Sequence, residues 1–532
     1  MKQLLVILLL TILSGCSTII KQSSTAGKVK NVILIIGDGM GPAQIGLLEA
    51  YARQSDNPTI KNRVTAFKRM LDDGGILGVS MTYANDVLVT DSAASATQLA
   101  SGVAAYPETI GIDSNAKAIT SILAIAQKMS KSTGLVSDTR VTHATPAAFA
   151  AHQQSRALEN EIAVDMLNTG PDVMLSGGLR HWIPKQANDP QSIVYLQIKD
   201  LIDSNVKIKS NRKDDRNLLL EAQNKGYQLA FSKDQLDQAN GKILGLFSNS
   251  QFPDALITHR DQNKSSLPSL AQMSSKALQV LDQNEHGFFL MIEGGLIDWA
   301  AHNNDTGTML HEMLKMNETL NTVLDWAKDR DDTLVVVTAD HETGGFGFSF
   351  SAANIPTAEK LPDSAFDDFE YQPNFNYGSP DLLEKIYQQK LSFPEIFARF
   401  DSLPIEQRTA KSLMGIVNQS SEFKITEEQA ARVLATENNP FFSEGHRYLS
   451  SKKVPKFLNH DAFFVYQLSD NRRNLLAIEL AEQQSVVWSN GTHTASPVLV
   501  FASGNKTAAA PFSQFMGHPQ LGQLLIKSLG GQ

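Results

Sequence analysis

Short, nearly continuous apolar runs rich in β-branched residues alternate along this chain with longer segments of helical periodicity. Apolar runs of this kind are typical of strands that are covered on both faces. The clearest strand predictions are Val32–Ile36, Gly134–Ser137, Val173–Leu175, Phe288–Ile292, Thr333–Thr338 and Val498–Ala502. Helices are predicted at Ala43–Arg53, Ser92–Ser101, Ile119–Lys128, Ser155–Leu167, Leu270–Gln283, Thr308–Asp329 and Leu521–Ser528. This alternation predicts an α/β fold, a three-layer sandwich with a mainly parallel central sheet.

A region of different character interrupts the alternation. Residues 348–485 are rich in proline and aromatic residues and contain polar helical stretches such as Thr426–Thr436. We interpret this region as an inserted cap and assign residues 29–347 and 486–532 to the α/β domain. Two histidines inside the cap, His446 and His460, are interpreted as structural or surface residues.

The first sixteen residues are predicted to be a targeting segment. Lys2 supplies a positive start, the apolar run 4–13 is short for a membrane span, and Leu-Ser-Gly-Cys16 ends the segment. This ending resembles a bacterial lipobox, in which the cysteine is lipidated, and the alternative is an ordinary signal peptide with an incidental cysteine. Residues 17–28 are predicted to form a polar tether. We therefore expect an extracytoplasmic protein anchored to the cell envelope by lipid on Cys16, and Ser17 favours the outer membrane, on its periplasmic or surface side.

Composition and net charge indicate which classes of protein and partner are expected. The 532-residue chain is 42% hydrophobic and 19% charged, as expected of an ordinary globular protein. A formal net charge of −9 disfavours a nucleic-acid partner. Cys16 is the only cysteine in the sequence, so the chain has no intramolecular disulfide.

Six separate fragments carry residue types that suit one metal site. They are Ile36–Gly41, Thr90–Ala94, His143–Pro146, Glu293–His302, Thr338–Glu342 and Gly491–Thr494. Together they offer carboxylates and imidazoles for two zinc-type ions and one magnesium-type ion beside a serine nucleophile. Asp38, Glu293 and Asp340 each lie at or just beyond a predicted strand end. Parallel sheets bind ligands at the carboxyl ends of their strands, so the predicted metal site lies where the predicted fold would place a binding site.

Some of these residues have a physical argument of their own. Ser92 opens a helix of small residues whose free N–H groups suit a phosphate, although an isolated serine there is more often a plain N-cap. Asp298 and His302 are four residues apart and project from one helix face. Arg156 has a guanidinium that can grip two phosphate oxygens, although in isolation an exposed helix arginine is the simpler interpretation.

In combination, these fragments resemble the alkaline phosphatase family. The similarity covers about Val29–Gly347 and Val486–Leu529 and includes segments outside the site, namely Gly226–Leu229, Leu244–Phe247 and Pro268–Met273. The resemblance implies an alkaline-phosphatase-like fold and a catalytic domain made of residues 29–347 and 486–532. It also implies a phosphomonoesterase of broad specificity that acts on small extracytoplasmic esters, and a homodimer.

The resemblance further implies three bound metal ions, two Zn²⁺ and one Mg²⁺. The ligands of the first zinc would be Asp298, His302 and His493. The ligands of the second zinc would be Asp38, Asp340 and His341, with Ser92 on its substrate side. The ligands of magnesium would be Asp38, Thr145 and Glu293.

The mechanism implied by the resemblance has two displacements at phosphorus. Ser92, activated by the second zinc, would attack in line, while Arg156 holds the non-reacting oxygens. The first zinc would stabilise the leaving alkoxide and then supply the hydroxide that attacks the phosphoserine. Two in-line displacements predict retention of configuration at phosphorus.

Two positions depart from the enterobacterial members of the family. This chain has His143 where they carry aspartate, and Trp299 where they carry lysine. Animal enzymes share the histidine, and some cold-adapted bacterial enzymes share both residues. The resemblance implies that both positions lie around the magnesium ion and change its surroundings, so the identity of the third ion stays open.

Two other functions also stay open. A phosphodiesterase or sulfatase of the same superfamily would share the metal site, but sulfatases need a modified cysteine or serine signature and related diesterases usually use threonine. A catalytically silent surface lipoprotein would bind phosphate or a partner through the cap. A silent relative is expected to lose a ligand or the nucleophile, and here none is missing.

Overall fold

The computed structural model describes residues 29–202, 206–260, 266–361, 369–458, 461–465 and 468–531. The predicted targeting segment with Cys16, the tether 17–28 and His460 lie outside the described residues. Within the described residues, no helix combines the length and the apolar character that crossing a bilayer needs.

Strands make up one large sheet and several two-stranded ribbons. In chain order they are β1 (Asn31–Gly37), β2 (Ile76–Met81), β3 (Ser132–Arg140), β4 (Val173–Gly177), β5 (Gln228–Ala230), β6 (Ile243–Leu246), β7 (Phe288–Gly294), β8 (Thr333–Ala339), β9 (Glu342–Thr343), β10 (Phe346–Phe348), β11 (Glu359–Lys360), β12 (Glu370–Tyr371), β13 (Thr436–Asn438), β14 (Lys453–Pro455), β15 (Val486–Trp488), β16 (His493–Thr494), β17 (Val498–Gly504) and β18 (Phe515–Gly517).

Helices flank the large sheet and fill the insertion. In chain order they are α1 (Pro42–Gln54), α2 (Ala66–Asp72), α3 (Ser92–Ser101), α4 (Ile122–Lys128), α5 (Ala144–Ala147), α6 (Glu159–Thr169), α7 (Ile193–Leu201), α8 (Leu218–Asn224), α9 (Lys233–Gln238), α10 (Ala255–Arg260), α11 (Leu270–Leu281), α12 (Leu296–His302), α13 (Thr306–Ala327), α14 (Asp381–Tyr387), α15 (Phe393–Ser402), α16 (Ala410–Ser420), α17 (Glu427–Leu434), α18 (Leu468–Gln484), α19 (Lys506–Ala509) and α20 (His518–Leu529).

The large sheet has the order β18-β2-β17-β8-β1-β7-β3-β4-β6-β5. Every neighbouring pair is parallel except the two pairs that involve β17, which runs antiparallel to β2 and β8. The six predicted strands all lie in this sheet, so the prediction of a mainly parallel sheet is confirmed. The direction of β17 was not predicted.

Central strand β1 shows why the sheet is covered on both faces. Side chains alternate along a strand, and Val32, Leu34 and Ile36 pack in one buried cluster while Ile33 and Ile35 pack in another on the opposite face. Both faces are therefore apolar, and helices bury each of them. The three-layer prediction is confirmed.

Two predicted helices begin later than expected. α4 begins after Ser121, whose hydroxyl accepts the N–H of Ala124 as an N-cap, so the helix does not start at residue 119. α6 begins at Glu159 because Leu158 has a non-helical backbone with φ −82° and ψ 49°. Arg156 therefore lies in the turn before α6 and not inside a helix.

Residues 348–485 carry helices α14 to α18. At the two bounds of this segment, β10 and β15 pair as antiparallel strands, so its entry and exit lie side by side. Buried side chains of the segment, among them Ile386, Phe393 and Phe397, join the cluster that also contains Ile33 and Ile35. The insertion therefore packs on the helical layer of that face of the sheet.

Candidate metal-dependent active site

The candidate site lies at one edge of the sheet, where the carboxyl ends of β1, β7 and β8 are neighbours. Asp38 follows β1, Glu293 lies near the end of β7, and Asp340 follows β8. Because β17 runs antiparallel, the segment that precedes it reaches the same edge. His493 therefore reaches the site from the segment that precedes β17, whereas Asp38 and Asp340 follow the strands that position them.

The first cluster joins α12 to the segment before β17. His302 Nε2 is 3.4 Å from Asp298 Oδ2, and His493 Nε2 is 3.6 Å from Asp298 Oδ1. The other ring nitrogens face backbone carbonyls, since Nδ1 of His302 lies 2.7 Å from Gly491 O and Nδ1 of His493 lies 3.0 Å from Thr90 O. Nδ1 of each ring therefore carries the proton, and each Nε2 lone pair faces the cluster, as in metal-binding histidines.

The second cluster contains Asp38, Asp340 and His341. His341 Nε2 lies 3.4 Å from Asp38 Oδ1 and 3.2 Å from Asp340 Oδ2. Asp340 Oδ1 accepts the N–H groups of Gly39 and His341, which fixes the carboxylate and leaves Oδ2 facing the cluster. The rings of His341 and His493 stack with centroids 3.6 Å apart, so the first and second clusters adjoin.

Gly39 allows this close approach. Its φ of +72° lies in the left-handed region, and a Cβ at this position would lie 2.7 Å from Asp298 Cα. A side chain here would push apart the turn after β1 and the start of α12, and with them both clusters.

The third cluster consists of Asp38, Glu293 and His143, whose candidate ligand atoms lie within 4.8 Å of one another. Glu293 Oε2 accepts hydrogen bonds from the hydroxyls of Ser137 and Thr139. Those bonds turn the other oxygen, Oε1, towards the cluster. Seven of the eight predicted ligands fall within the three clusters, and the eighth, Thr145, is buried two residues after His143 in α5.

The polar atoms of these clusters fit cations. Within the described part of the chain, several buried oxygens accept or donate no hydrogen bond, and they are both carboxylate oxygens of Asp38, Oε1 of Glu293, Oδ2 of Asp340 and Oγ1 of Thr145. A buried carboxylate oxygen without a donor is costly unless it binds a cation. Imidazole and carboxylate donors in the first two clusters suit zinc, and oxygen donors in the third suit magnesium.

The electrostatics of the acids support the same conclusion. Burial, followed by the charges of Asp340, Asp298 and Glu293, raises the pKa of Asp38 well above its ordinary value. Burial, followed by the charge of Asp298, raises the pKa of Asp340 to about 7. Burial likewise lowers the pKa of His341 well below its ordinary value, with a further lowering by His493. Carboxylates gathered around neutral imidazoles therefore repel one another, and bound cations would relieve that repulsion.

Ser92 lies at the first turn of α3 and is buried. Asp91 is the N-cap of this helix, and its Oδ1 accepts the N–H groups of Ala94 and Glu108. Ser92 Oγ lies 3.1 Å from His341 Nε2, the atom at which the second cluster converges. The predicted nucleophile thus adjoins the second cluster at the positive end of a helix dipole.

Arg156 is held by two neighbours on the other side of Ser92. Its Nη1 donates to Asp91 Oδ2 at 2.9 Å, and its Nη2 donates to His143 Nε2 at 3.3 Å. Burial opposes ionisation of Asp91, but the guanidinium and two backbone N–H groups outweigh it and lower the pKa of this carboxyl. Arg156 is therefore oriented towards the cavity before any ligand arrives.

The contact with Arg156 also fixes the protonation of His143. An arginine only donates, so His143 Nε2 accepts and the ring proton lies on Nδ1, which faces Glu293 Oε1 at 3.9 Å. A protonated nitrogen does not bind a metal. The geometry therefore favours His143 as a support of the third cluster over a direct ligand. Trp299 packs with its ring at an angle of 69° to that of His143.

A cavity of about 760 Å³ opens over these residues. Ser92, Arg156, His302 and His493 line it, together with Trp299. A small phosphate ester can therefore reach the serine, the arginine and the first cluster from one space.

Several residues that organise the site were not predicted from the sequence. Thr343 donates to Asp298 Oδ1 at 2.6 Å, and Asp138 Oδ1 accepts the N–H of Gly295 at the start of α12. Partly buried Lys315 pairs with Asp138 at 2.7 Å and also with Glu312. Only Thr343 carried a sequence signal, because it follows the Asp340-His341 pair by two residues.

Comparisons with known proteins identify the family of this chain. The family model described as alkaline phosphatase matches residues 29–519. The chain is 32% identical to alkaline phosphatase 4 of Bacillus subtilis (strain 168) over 77% of this chain and 80% of the relative. It is 35% identical to alkaline phosphatase 3 of the same strain, over 64% of this chain and 69% of the relative.

Solved structures of similar fold include two bacterial alkaline phosphatases. The cold-active enzyme of a psychrophilic Shewanella sp. is 27% identical with a TM-score of 0.64, covering 94% of this chain and 99% of that chain. The Thermus thermophilus enzyme has a TM-score of 0.73 at 24% identity, covering 95% of this chain and 92% of that chain. With a family model that spans nearly all the described residues, this protein belongs to the alkaline phosphatase family and is a phosphatase.

Proposed function

We propose that this phosphatase hydrolyses phosphomonoesters through a phosphoserine formed on Ser92, with two zinc ions and one magnesium ion as cofactors. The observation that carries the proposal is the position of Ser92 Oγ, 3.1 Å from His341 Nε2, where the second cluster converges. A serine at a helix N-terminus, beside metal-binding residues and within one cavity with an oriented arginine, suits phosphoryl transfer.

The donor chemistry supports the assignment of the cofactors. Asp298, His302 and His493 would hold one zinc ion. Asp38, Asp340 and His341 would hold the other, and Asp38, Thr145 and Glu293 would hold magnesium. When bound, these ions would supply Lewis acidity that lowers the pKa of the serine hydroxyl and stabilises the leaving oxygen.

The chain's own residues would divide the work as follows. Ser92 Oγ attacks phosphorus, so an Oγ–P bond forms while the bond from phosphorus to the leaving oxygen breaks. Arg156 and the N–H groups of the first turn of α3 hold the non-reacting oxygens, with Asp91 keeping the guanidinium in place. Water then attacks the phosphoserine from the side that the leaving group vacated, so a new P–O bond forms while the P–Oγ bond breaks. Ser92 Oγ regains a proton that the water released, and phosphate departs. Two inversions give retention of configuration at phosphorus.

The alternative activities differ in the ester that fills the cavity. A phosphodiesterase would accept a second ester group on phosphorus, and a sulfatase would accept a sulfate. Arg156 favours the monoester, because a monoester dianion presents three non-bridging oxygens with two negative charges, whereas a diester presents two that share one charge, so the guanidinium gains more from the monoester. A silent binding lipoprotein would not need Ser92 to adjoin the second cluster.

Hydrolysis of p-nitrophenyl phosphate by a soluble protein that starts after Cys16 would test the proposal. Ser92→Ala is expected to abolish turnover, whereas Ser101→Ala at the far end of the same helix serves as the matched control. Chelation should remove activity from the wild type, and zinc with magnesium should restore it. Acid quenching followed by mass spectrometry should find phosphate on Ser92 alone.

The outcomes separate the alternatives. A folded, zinc-loaded wild type that leaves p-nitrophenyl phosphate intact would contradict the proposal. Faster hydrolysis of bis-p-nitrophenyl phosphate or p-nitrophenyl sulfate would select the diesterase or the sulfatase. A folded protein that retains no zinc and turns over none of the three esters would select the silent binder.

We also propose that the mature protein is lipid-anchored through Cys16, extracytoplasmic and homodimeric. The sequence of the first sixteen residues supports the anchor, and the family resemblance supports the dimer. Labelling with a radioactive fatty acid should mark the wild type and not Cys16→Ser. Sedimentation of the soluble form should give twice the mass of one chain, and a monomer would refute the dimer.

A further inference from the structure

One wall of the active-site cavity comes from the insertion. Arg447, Tyr448 and Arg473 line the same cavity as Ser92 and His493. This wall carries two guanidinium groups and an aromatic ring, none of which is needed to hold the metal ions or the phosphate that is transferred. Its chemistry therefore addresses the rest of the substrate.

Arg473 is fixed beside the first cluster. Its Nη1 donates to Asn303 Oδ1 at 2.9 Å, and Asn303 directly follows His302. The next residue, Asn474, donates to His302 O and to Asn304 Oδ1, both at 2.7 Å. These bonds join α18 to the end of α12 and hold the guanidinium on the side of the cavity where the first cluster lies.

Arg447 lines the cavity from a turn that is stabilised by hydrogen bonds to the His446 side chain. His446 Nδ1 accepts the N–H groups of Tyr448 and Leu449, at 3.2 and 3.1 Å. The guanidinium carbon of Arg447 lies 5.1 Å from the centre of the Tyr448 ring, within the range of a cation–π contact. Tyr448 is therefore a positioning residue for Arg447.

We propose that Arg447 and Arg473 bind a second anionic group on the leaving group, so that the enzyme prefers phosphomonoesters whose leaving group carries a carboxylate or a second phosphate. The inference rests on the proposed function, in which the leaving oxygen departs on the side of the first cluster. Arg473 lies on that side of the cavity through its bond to Asn303, and Arg447 lines the same cavity.

The cavity also carries negative charge that acts against this preference. The carboxylates of Asp254 and Glu108 line it too. Asp254 Oδ1 caps the N–H of Ile257, a bond that an asparagine can keep. Asp254→Asn therefore removes a charge without removing the cap, and it should strengthen the preference for an anionic leaving group.

The test compares two esters that differ by one carboxylate, phenyl phosphate and 4-carboxyphenyl phosphate. The measured quantity is the ratio of their kcat/KM values in the metal-loaded enzyme. Arg447→Gln should lower the ratio by up to about fivefold, the upper end of what an exposed ion pair contributes. Arg399→Gln removes the same charge from an exposed site on the insertion outside the cavity and should leave the ratio unchanged. Added salt should shrink the wild-type ratio, since exposed charges are screened.

Binding of two non-hydrolysable analogues separates this inference from the proposed function. Calorimetry with benzylphosphonate and 4-carboxybenzylphosphonate should show the same Arg447-dependent preference without turnover. A protein that hydrolyses neither ester yet keeps this binding preference would contradict the proposed function and support only the binding of a second anionic group by Arg447 and Arg473. A preference that is equal in the wild type and Arg447→Gln, in either measurement, would overturn the inference.

Discussion

Asp340 allows a direct test of two linked ideas. The buried carboxylates are positioned to bind cations, and without cations they destabilise the fold. Its pKa is raised from 3.8 to about 7, first by burial and then by Asp298. Without metal, folding therefore makes this carboxyl bind a proton that the unfolded chain has already released at pH 5 to 7. The contribution of Asp340 to stability must therefore fall as pH rises through that window, because at this site the folded state binds more protons than the unfolded state.

The size of the effect follows from the shift. A change of about three pKa units corresponds to about 4 kcal/mol of unfolding free energy at pH 7 and above. Asp340→Asn removes the titrating group, while its side-chain oxygen can still accept the N–H groups of Gly39 and His341. In the presence of chelator, the variant should therefore be more stable than the wild type by an amount that grows from pH 5 to pH 7.

The comparison between variants is needed because histidines act in the opposite direction. Burial lowers the pKa values of His181, His311 and His518 to about 4. Between about pH 4 and 6.5 these rings are neutral in the folded state and protonated in the unfolded state, so their contribution to stability increases as pH rises. That contribution is common to the wild type and Asp340→Asn and cancels in their difference. The difference reports Asp340 together with its effect on Asp38, whose pKa the charge of Asp340 also raises.

Denaturant unfolding followed by tryptophan fluorescence would measure the difference at pH 5, 6, 7 and 8. With zinc and magnesium present the order should reverse, because the wild type gains binding energy that the variant lacks. If the difference in unfolding free energy between the two proteins does not change with pH in chelator, the conclusion that burial and charge repulsion raise the pKa of Asp340 is refuted. A variant that is stabilised by zinc as strongly as the wild type would refute Asp340 as a ligand.

Three further substitutions test other parts of the site. Arg156→Lys keeps the charge but loses the fork that bonds Asp91 and His143, so kcat/KM for p-nitrophenyl phosphate should fall about 10- to 100-fold, in line with the loss of a charge-assisted bond. Gly39→Ala places a Cβ 2.7 Å from Asp298 Cα at a φ of +72°, so it should lower thermal stability by more than the roughly 1–2 kcal/mol of left-handed strain and weaken zinc binding. His143→Asp adds a hard oxygen donor near Glu293, so magnesium affinity, read by competition titration, should rise about tenfold.

Each of these has a result that would contradict it. Wild-type kinetics in Arg156→Lys would mean that the two-donor geometry is not used. An unchanged melting temperature in Gly39→Ala, with Gly415→Ala at a position where a Cβ meets nothing within 4 Å as the control, would mean that the turn relaxes freely. An unchanged magnesium requirement in His143→Asp would place that residue away from the third ion.

The central fold could be predicted because the strands that bury both faces leave a strong apolar signal. β8, with seven buried residues, is an example. The strands that were missed, such as β2 and β5, are short or alternate between buried and partly exposed positions at the rim of the sheet. The direction of β17 has no local signal at all, because only pairing with β2 and β8 determines it.

The clustered residues of the site were predicted from fragments, and the contacts that organise them were not. Local sequence shows Asp298 and His302 on one helix face, but it does not show that Gly491 and Thr90 orient the imidazoles. Those partners are backbone carbonyls, which every residue has. The contribution of Arg447 to the cavity wall was also not predicted. No sequence pattern in the insertion indicates which edge of the sheet it contacts.

The antiparallel strand β17 has a consequence for how the enzyme is made. It brings His493 against the carbonyl of Thr90, a contact between positions 403 residues apart in the chain. The first cluster can therefore close only after nearly the whole polypeptide has been synthesised, and a chain interrupted before Gly491 lacks one of its three members. A cation bound by this cluster would therefore be captured only after the C-terminal segment is complete, late in the folding of a chain whose non-local contacts are expected to make folding slow.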